Sequence, residues 1–307
     1  MINAVLPIFS LILIGNLLKR TNWINQIFWD EAEKITYYIL FPALLISKVA
    51  VADLSKIETS SLALTVYGAI FIATILAFAT KKLMTLFSTL TNPSFSSFYQ
   101  GSIRFNTYIG LALVNSIFGE QGLVIAVMIA TLLIPLINIK VVTVLHFYGN
   151  KPSQNGAASF IRQLLTNPLI LSCLIGILIN QFNIKIPVTI FNTLTILGST
   201  ALPIGLLCIG AALTFIGIQK DALPITLSSL IKLVIYPLIT YLIAVNIGLD
   251  QKTTQIATIF CALPTASAAY ILAKSMGGDS QLMARIITLQ TLFSLLTLLI
   301  VLSSIGL

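Results

Sequence analysis

The feature that most constrains the fold is a succession of long apolar runs along nearly all of the 307 residues. Apolar side chains make up 57% of the sequence and charged ones only 8%, against roughly 25% charged residues in a typical soluble domain. A water-soluble fold of this size cannot bury so much apolar surface. Because the runs reach the length of about 18 residues that a helix needs to cross a bilayer, the sequence predicts an all-α polytopic membrane protein and not a β-barrel.

We count ten candidate transmembrane helices. The longest connection, about 148–164, is rich in turn residues and reads as a linker. It separates residues 1–147 from residues 165–307, and each part contains five spans. The predicted spans are approximately 2–18, 31–50, 60–80, 96–118, 121–147, 165–181, 189–213, 223–248, 254–276 and 281–305.

Lysine and arginine are distributed unevenly over the predicted loops. Since basic loops stay in the cytoplasm, we expect a protein of the cell (cytoplasmic) membrane with both termini outside and the linker inside. The same distribution accounts for the net charge of +8, so the expected partner is the lipid bilayer and not a nucleic acid. The predicted cytoplasmic set is Lys19, Arg20, Lys34, Lys81, Lys82, Lys151, Arg162, Lys220, Lys274 and Arg285, against Lys48, Lys56, Lys185 and Lys252 on the other side.

Proline and glycine recur at a nearly constant spacing between the two halves. A repeat of five spans, an odd number, must re-enter the membrane upside down, so we expect two inverted five-helix repeats, an architecture common in transporters. Chance alignment is the alternative, because both residues are frequent in membrane helices. The pairs Pro7/Pro168, Gly15/Gly176 and Pro42/Pro203 are each 161 positions apart, and Asn106/Pro264 and Gly119/Gly277 are each 158 apart.

Spans four and nine carry polar or helix-breaking residues near their middle. In span four these are Arg104, Asn106 and Thr107; in span nine they are Pro264 and Thr265. A charge at that depth costs about 2.5–3.5 kcal/mol on insertion scales, so it normally faces a cavity or a partner. Asparagine, threonine and proline all favour a break in the helix. We expect both helices to be interrupted, to meet and to form a binding site.

The predicted site attracts anions. Broken helices would direct their half-helix N-termini, with partial positive charge, toward the bilayer centre. Arg104 and Lys232 add two cations at similar depth, whereas all nine acidic residues lie in loops or at span ends. We therefore expect substrate binding by Arg104, Asn106, Thr107, Lys232, Pro264 and Thr265. Alternatively, Arg104 and Lys232 bind carbonyl oxygens, and Asn106 and Thr107 only cap a half-helix.

Four other polar residues lie within predicted spans. Thr131, Asn138, Gln290 and Thr291 could coordinate an ion together with backbone carbonyls, but hydrogen bonds between helices are the favoured interpretation. The sequence contains no HExxH motif, no Walker-type loop and only one histidine. We therefore expect no enzyme activity, catalytic residues, metal or cofactor. H⁺ and Na⁺ both remain open as coupling ions.

At these residues the chain resembles the auxin efflux carrier family in its bacterial, short-loop form. The resemblance covers nearly the whole sequence. Two departures matter: Asn106 stands where its repeat mate has Pro264, and span three lacks the aspartate of the plant carriers. The most specific motifs are Ile39-Leu-Phe-Pro42-Ala-Leu-Leu, Ser102-Ile-Arg104-Phe-Asn106-Thr107-Tyr-Ile-Gly110, Ile231-Lys232-Leu-Val-Ile-Tyr-Pro237 and Ala262-Leu-Pro264-Thr265-Ala.

The resemblance implies a fold similar to that of the bile-acid sodium symporters, with helices 4 and 9 crossing at the site. It implies a scaffold of spans 1, 2, 6 and 7, through which two copies could form a homodimer, and a mobile domain of spans 3–5 and 8–10. Substrates in such a family are organic anions, including auxin in plants and dicarboxylates such as malate or malonate in bacteria. We expect a secondary transporter of mono- or dicarboxylates that works by alternating access with an elevator-like movement. An anion sensor or a channel on the same scaffold is the alternative.

Overall fold

The computed structural model of the chain describes residues 2–52, 58–87, 90–150, 166–215 and 217–307. Most of the predicted linker 148–164, with Lys151 and Arg162, lies outside the described residues, as does Lys56. Within the described residues the fold is entirely helical. Its helices are α1 (Ile2–Arg20), α2 (Gln26–Ile35), α3 (Phe41–Val49), α4 (Thr59–Phe87), α5 (Asn92–Ile103), α6 (Thr107–Tyr148), α7 (Pro168–Gln181), α8 (Val188–Ala212), α9 (Ala222–Leu230), α10 (Tyr236–Ile247), α11 (Gln251–Ala262), α12 (Ala268–Met276) and α13 (Ser280–Ser304).

Six helical stretches of the described chain are long and apolar enough to cross a membrane. They correspond to seven of the ten predicted spans, because spans four and five together form the stretch Asn92–Tyr148. The other three predicted spans are structured differently. Span two contains a π-helical turn, Thr36–Leu40; span six is a shorter apolar helix, Pro168–Gln181; and span nine is divided into α11 and α12.

The outer surface carries large apolar side chains. Leu13, Phe71, Ile196 and Ile300 expose between 59% and 68% of their surface. In water such a surface would drive aggregation, whereas in a bilayer it contacts lipid. Together with the six long apolar helices, these side chains identify a multi-pass membrane protein.

A first group of helices, α1, α3, α7 and α8, joins the first half of the chain to the second through three close helix pairs. α1 packs on α8, and α3 packs on α7 and α8. Asn16 Nδ2 donates a hydrogen bond to the carbonyl oxygen of Gly210 at 3.0 Å. Glycine permits this approach because it lacks a Cβ: a Cβ on Gly210 would lie 1.8 Å from the Ile12 carbonyl oxygen.

We expect Gly210→Ala to destabilise the protein by about 1–3 kcal/mol, because the added methyl forces α1 away from α8. The measurement is the apparent Tm of the purified protein in detergent. Gly68→Ala is the matched control, since a Cβ there would lie 3.5 Å from Ile243 Cδ1, an ordinary contact. Equal Tm values for the two variants would contradict the importance of this packing.

The remaining long helices form a second group. α4 packs on α5 and α10, α11 packs on α6 and α10, and α5 packs on α13. Buried aromatic side chains fill this group, among them Phe98, Tyr99, Tyr236 and Phe260. α6 contacts helices of both groups, so the stretch that starts at Thr107 lies where the two groups meet.

Candidate functional site

Both predicted interruptions are present in the structure. α5 ends at Ile103 and α6 begins at Thr107; α11 ends at Ala262 and α12 begins at Ala268. The half-helices that follow end at equivalent positions. Gly119, with φ 64°, breaks α6 internally, and Gly277, with φ 77°, follows α12. Positive φ suits glycine at such a position, so each of these two glycines marks the end of a short helix.

Asn106 explains how the first interruption forms without a proline. Its Oδ1 accepts hydrogen bonds from the backbone N–H groups of Tyr108 at 3.1 Å and Ile109 at 3.3 Å. This is the N-cap arrangement, which satisfies donors that the first helical turn leaves unpaired. Asn106 is also buried. The capping role that the sequence suggested for Asn106 is therefore confirmed, and the residue lies in the wall of the cavity described below.

The two interruptions touch each other. Gln290 Nε2 donates to the Gly101 carbonyl oxygen at 2.8 Å, and Gln290 Oε1 accepts from the Thr265 backbone N–H at 3.1 Å. Thr265 Oγ1 lies 2.7 Å from Gln290 Oε1 and 3.1 Å from the Gly101 carbonyl oxygen. The rings of Phe105 and Phe260 pack edge to face. Thr265 and Gln290 thus join α5, the second interruption and α13 in a buried polar network.

A cavity of about 600 Å³ opens beside the first interruption. Its wall is formed by α2, the π-helical turn, residues 104–108, the C-terminal half of α6, the start of α7 and the start of α12. Cavities of this size typically accommodate small-molecule ligands. On one side of the cavity lie α2 and α7, and on the other side lie α6 and α12.

Arg104 is the central cation of this cavity. Its Nη2 donates to Asn138 Oδ1 at 2.6 Å and its Nη1 to Gln100 Oε1 at 3.3 Å. Both partners are neutral amides, and no ion pair joins Arg104 to a carboxylate within the described residues. A guanidinium whose charge is not neutralised by an ion pair can bind a carboxylate with two parallel hydrogen bonds.

The sequence-predicted site residues separate into two places. Arg104, Asn106 and Thr107 line the cavity. Pro264, Thr265 and Lys232 do not belong to its lining. Lys232 is fully buried, and its ammonium donates to the Cys261 carbonyl oxygen at 2.9 Å. It also lies 4.5 Å from the centre of the Tyr236 ring, which fits the carbonyl-bonded alternative.

The four candidate ion ligands have partners within the protein. Thr131 and Thr291 donate to backbone carbonyls of their own helices, at Val127 and Ile287. Asn138 accepts from Arg104, and Gln290 bonds to Thr265 and Gly101. Only Asn138 among the four lines the cavity. The contacts of Asn138 and Gln290 favour hydrogen bonding between helices over a shared ion site, whereas those of Thr131 and Thr291 stay within one helix.

Two acidic residues lie in the wall of the cavity, which the sequence analysis did not anticipate. Asp30 and Glu33 belong to α2 and share the cavity lining with Arg104 and Lys34. Ser267 donates to Glu33 Oε1 at 3.1 Å across 234 residues of sequence. Both acidic residues lie at the end of predicted span two, as expected from the sequence, but their place in the same cavity lining as Arg104 was not predicted. The sequence signal that could have revealed these two residues is the amphipathic pattern of residues 26–35, because it indicates a helix at the end of a span.

Comparison with known proteins also indicates a membrane transport protein. The family model described as "Membrane transport protein" matches residues 1–302. A protein of Rhizobium meliloti (strain 1021), described as "Putative malonate transporter", is 24% identical over 95% of this chain and 92% of its own length. An "Uncharacterized transporter" of Methanothermobacter thermautotrophicus is 23% identical over 96% of this chain and 95% of its own length.

Proposed function

Since the chain belongs to the auxin efflux carrier family of membrane transport proteins, we propose that it is a secondary carrier of small organic anions, mono- or dicarboxylates, across the cytoplasmic membrane. The observation that carries this proposal is the Arg104 guanidinium, which faces a cavity of about 600 Å³ and has only neutral hydrogen-bond partners. A carboxylate would give it the bidentate ionic partner that the described residues do not supply.

Two helix N-termini strengthen the attraction for an anion. Thr107 opens α6, and Ala268 opens α12 without a side-chain cap. Both residues line the cavity. Backbone N–H groups and the helix dipole favour negative charge at such ends. In this assignment Arg104 and Thr107 contact the substrate, Asn106 shapes the site, and Pro264 and Thr265 maintain the second interruption.

The cavity lies between two groups of helices, which suits alternating access. In the predicted orientation the lining residues Lys34 and Asn167 lie on the cytoplasmic side, so we infer that the cavity opens to the cytoplasm. On the predicted outer side Lys48 of α3 forms an ion pair with Glu120 of α6 and joins the two groups. The proposed movement is elevator-like, with α4–α6 and α9–α13 sliding against a scaffold of α1–α3, α7 and α8, which could also hold two copies together as a homodimer.

The contacts support the proposed inverted repeats. Gly15 of α1 lies against Leu207 of α8, and its repeat mate Gly176 of α7 lies against Val49 of α3. Each glycine therefore packs on a helix of the other half. In a ten-helix inverted repeat these two contacts are equivalent, because the first helix of each half packs on the second span of the other half.

The substrate class can be tested by thermal-shift screening of the purified protein against mono- and dicarboxylates, with malonate first because a relative carries that description. The screen is run with and without sodium and at two pH values, since H⁺ and Na⁺ are both open as coupling ions. Stabilisation by dicarboxylates and not by amines is expected. Ligand binding without any flux in vesicles would favour an anion sensor, and flux without saturation would favour a channel.

We expect Lys232→Met to leave malonate affinity within about twofold of the unmodified protein, because Lys232 is fully buried and outside the cavity lining. The variant loses the hydrogen bond to the Cys261 carbonyl. An unsatisfied buried acceptor lowers the free energy of unfolding by about 1–3 kcal/mol, so we also expect a lower Tm. Calorimetric titration of the folded fraction measures the affinity. A large loss of affinity with an unchanged Tm would show that Lys232 belongs to the binding site.

A further inference from the structure

Glu33 lies at the contact between the two groups of helices. It belongs to α2 and lines the same cavity as Arg104. Its one hydrogen-bond partner among the described residues is Ser267, whose hydroxyl donates to Oε1 at 3.1 Å. Ser267 immediately precedes α12. The carboxylate of Glu33 therefore connects α2 directly to the second interruption.

The lining of the cavity carries acidic and basic side chains in equal number. Two carboxylates, Asp30 and Glu33, stand against two cations, Lys34 and Arg104. Lys34 is exposed and already pairs with Glu31, which leaves Arg104 as the cation of the interior. A bound carboxylate neutralises Arg104 and then lies in a cavity whose remaining interior charge, on Glu33, is negative.

Apart from Lys34 and Arg104, no cation among the described residues lines the cavity with Glu33. On its own helix the neighbouring ionisable groups are Asp30 and Lys34, and Tyr37 follows in the π-helical turn. From the packed elements it faces the neutral side chains of Tyr108 on α6, Cys208 on α8 and Ser267 before α12. Like charges in a partly buried site disfavour double ionisation. An anion beside Arg104 therefore raises the affinity of Glu33 for a proton.

On the basis of the proposed function, we propose that Glu33 is the proton-binding residue of this carrier and that one proton enters the cavity with each anionic substrate. The proton passes from water to the Glu33 carboxylate, and the carboxylate becomes a neutral acid. The same step removes the charge that the Ser267 hydroxyl stabilises, which loosens the link between α2 and the start of α12. Substrate binding and release of this contact are thereby coupled.

The direction of the pH dependence follows from this linkage. Because protonated Glu33 favours the bound anion, affinity is highest at low pH and is lost as the pH rises. One linked proton gives a limiting change in Kd of about tenfold per pH unit. In a carrier of this kind an inward pH gradient favours uptake of the anion without sodium.

The test is calorimetric titration of the purified full-length protein with malonate, at a pH where free malonate is fully ionised, in buffers with different ionisation enthalpies. Comparison of the enthalpies gives the number of protons taken up per bound anion. We expect nearly one for the unmodified protein and nearly none for Glu33→Gln, whose affinity no longer changes with pH. Glu58→Gln is the matched control, because Glu58 is an exposed glutamate outside the cavity lining, and it should behave like the unmodified protein.

The outcomes separate the two proposals. Malonate binding by the unmodified protein without proton uptake would overturn the role of Glu33 and leave the carrier proposal standing. Proton uptake that persists in Glu33→Gln would also overturn it and would point to Asp30, which Asp30→Asn then checks. Absence of binding for malonate and for every other carboxylate in the screen would overturn the proposed function and this inference with it.

Discussion

Arg104→Ala is expected to lower malonate affinity by on the order of a hundredfold, or about 3 kcal/mol. The guanidinium is the only interior cation in the lining of the cavity, and loss of one partner of a desolvated charge pair typically costs 2–5 kcal/mol. Calorimetric titration with malonate measures the change. The malonate affinity of Arg104→Lys should lie between those of Arg104→Ala and the unmodified protein. An ammonium keeps the charge but lacks the planar fork that matches a carboxylate.

Two checks make the Arg104 result interpretable. The first is Lys140→Ala, because Lys140 is a cation of α6 that lies over the Phe71 ring and outside the cavity lining; the malonate affinity of this variant should be unchanged. The second is the Tm of each variant, since Arg104→Ala leaves the oxygens of Asn138 and Gln100 without their donor. A folded Arg104→Ala protein with full affinity would contradict the site assignment.

Gln290→Leu should produce the largest loss of stability, about 2–4 kcal/mol. Leucine has a similar volume but cannot replace the hydrogen bonds of Gln290 with the Thr265 backbone N–H and the Gly101 carbonyl. Each buried polar group left unpaired costs about 1–3 kcal/mol. The apparent Tm in detergent is expected to fall by roughly 5 °C or more.

Thr291→Val provides the matched control for Gln290→Leu. Thr291 is the next residue, is equally buried and bonds only to the carbonyl of Ile287 in its own helix. Thr291→Val should lower stability much less than Gln290→Leu, because the Ile287 carbonyl stays within α13. Equal losses in the two variants would show that the contact between the interruptions contributes little.

The fold class could be predicted because it depends on composition and run length. The interruptions at Asn106 and Pro264 could also be predicted, since an N-cap side chain and a proline act locally on their own helices. The shortness of span six was harder to foresee. Apolar run length measures hydrophobicity, and it does not show where a helix ends.

The composition of the site could be predicted only in part. Position along a span gives the depth of Arg104 and Lys232 in the membrane, but it does not give the direction in which each side chain points. Arg104 faces the cavity, whereas Lys232 points to the carbonyl of Cys261. Glu33 was missed for the same reason: its contact with Ser267 spans 234 residues and depends on how α2 packs on the rest of the fold.

The most direct test of the central claim is counterflow of labelled malonate in proteoliposomes. Vesicles containing the unmodified protein and preloaded with unlabelled malonate should accumulate labelled malonate transiently and saturably, because a carrier exchanges one bound anion for another. Vesicles with Arg104→Ala, incorporated at the same amount and correctly folded, should show none. Equal labelled uptake by the two proteins, or uptake that does not depend on the preloaded anion, would contradict a carrier whose carboxylate site is built on Arg104.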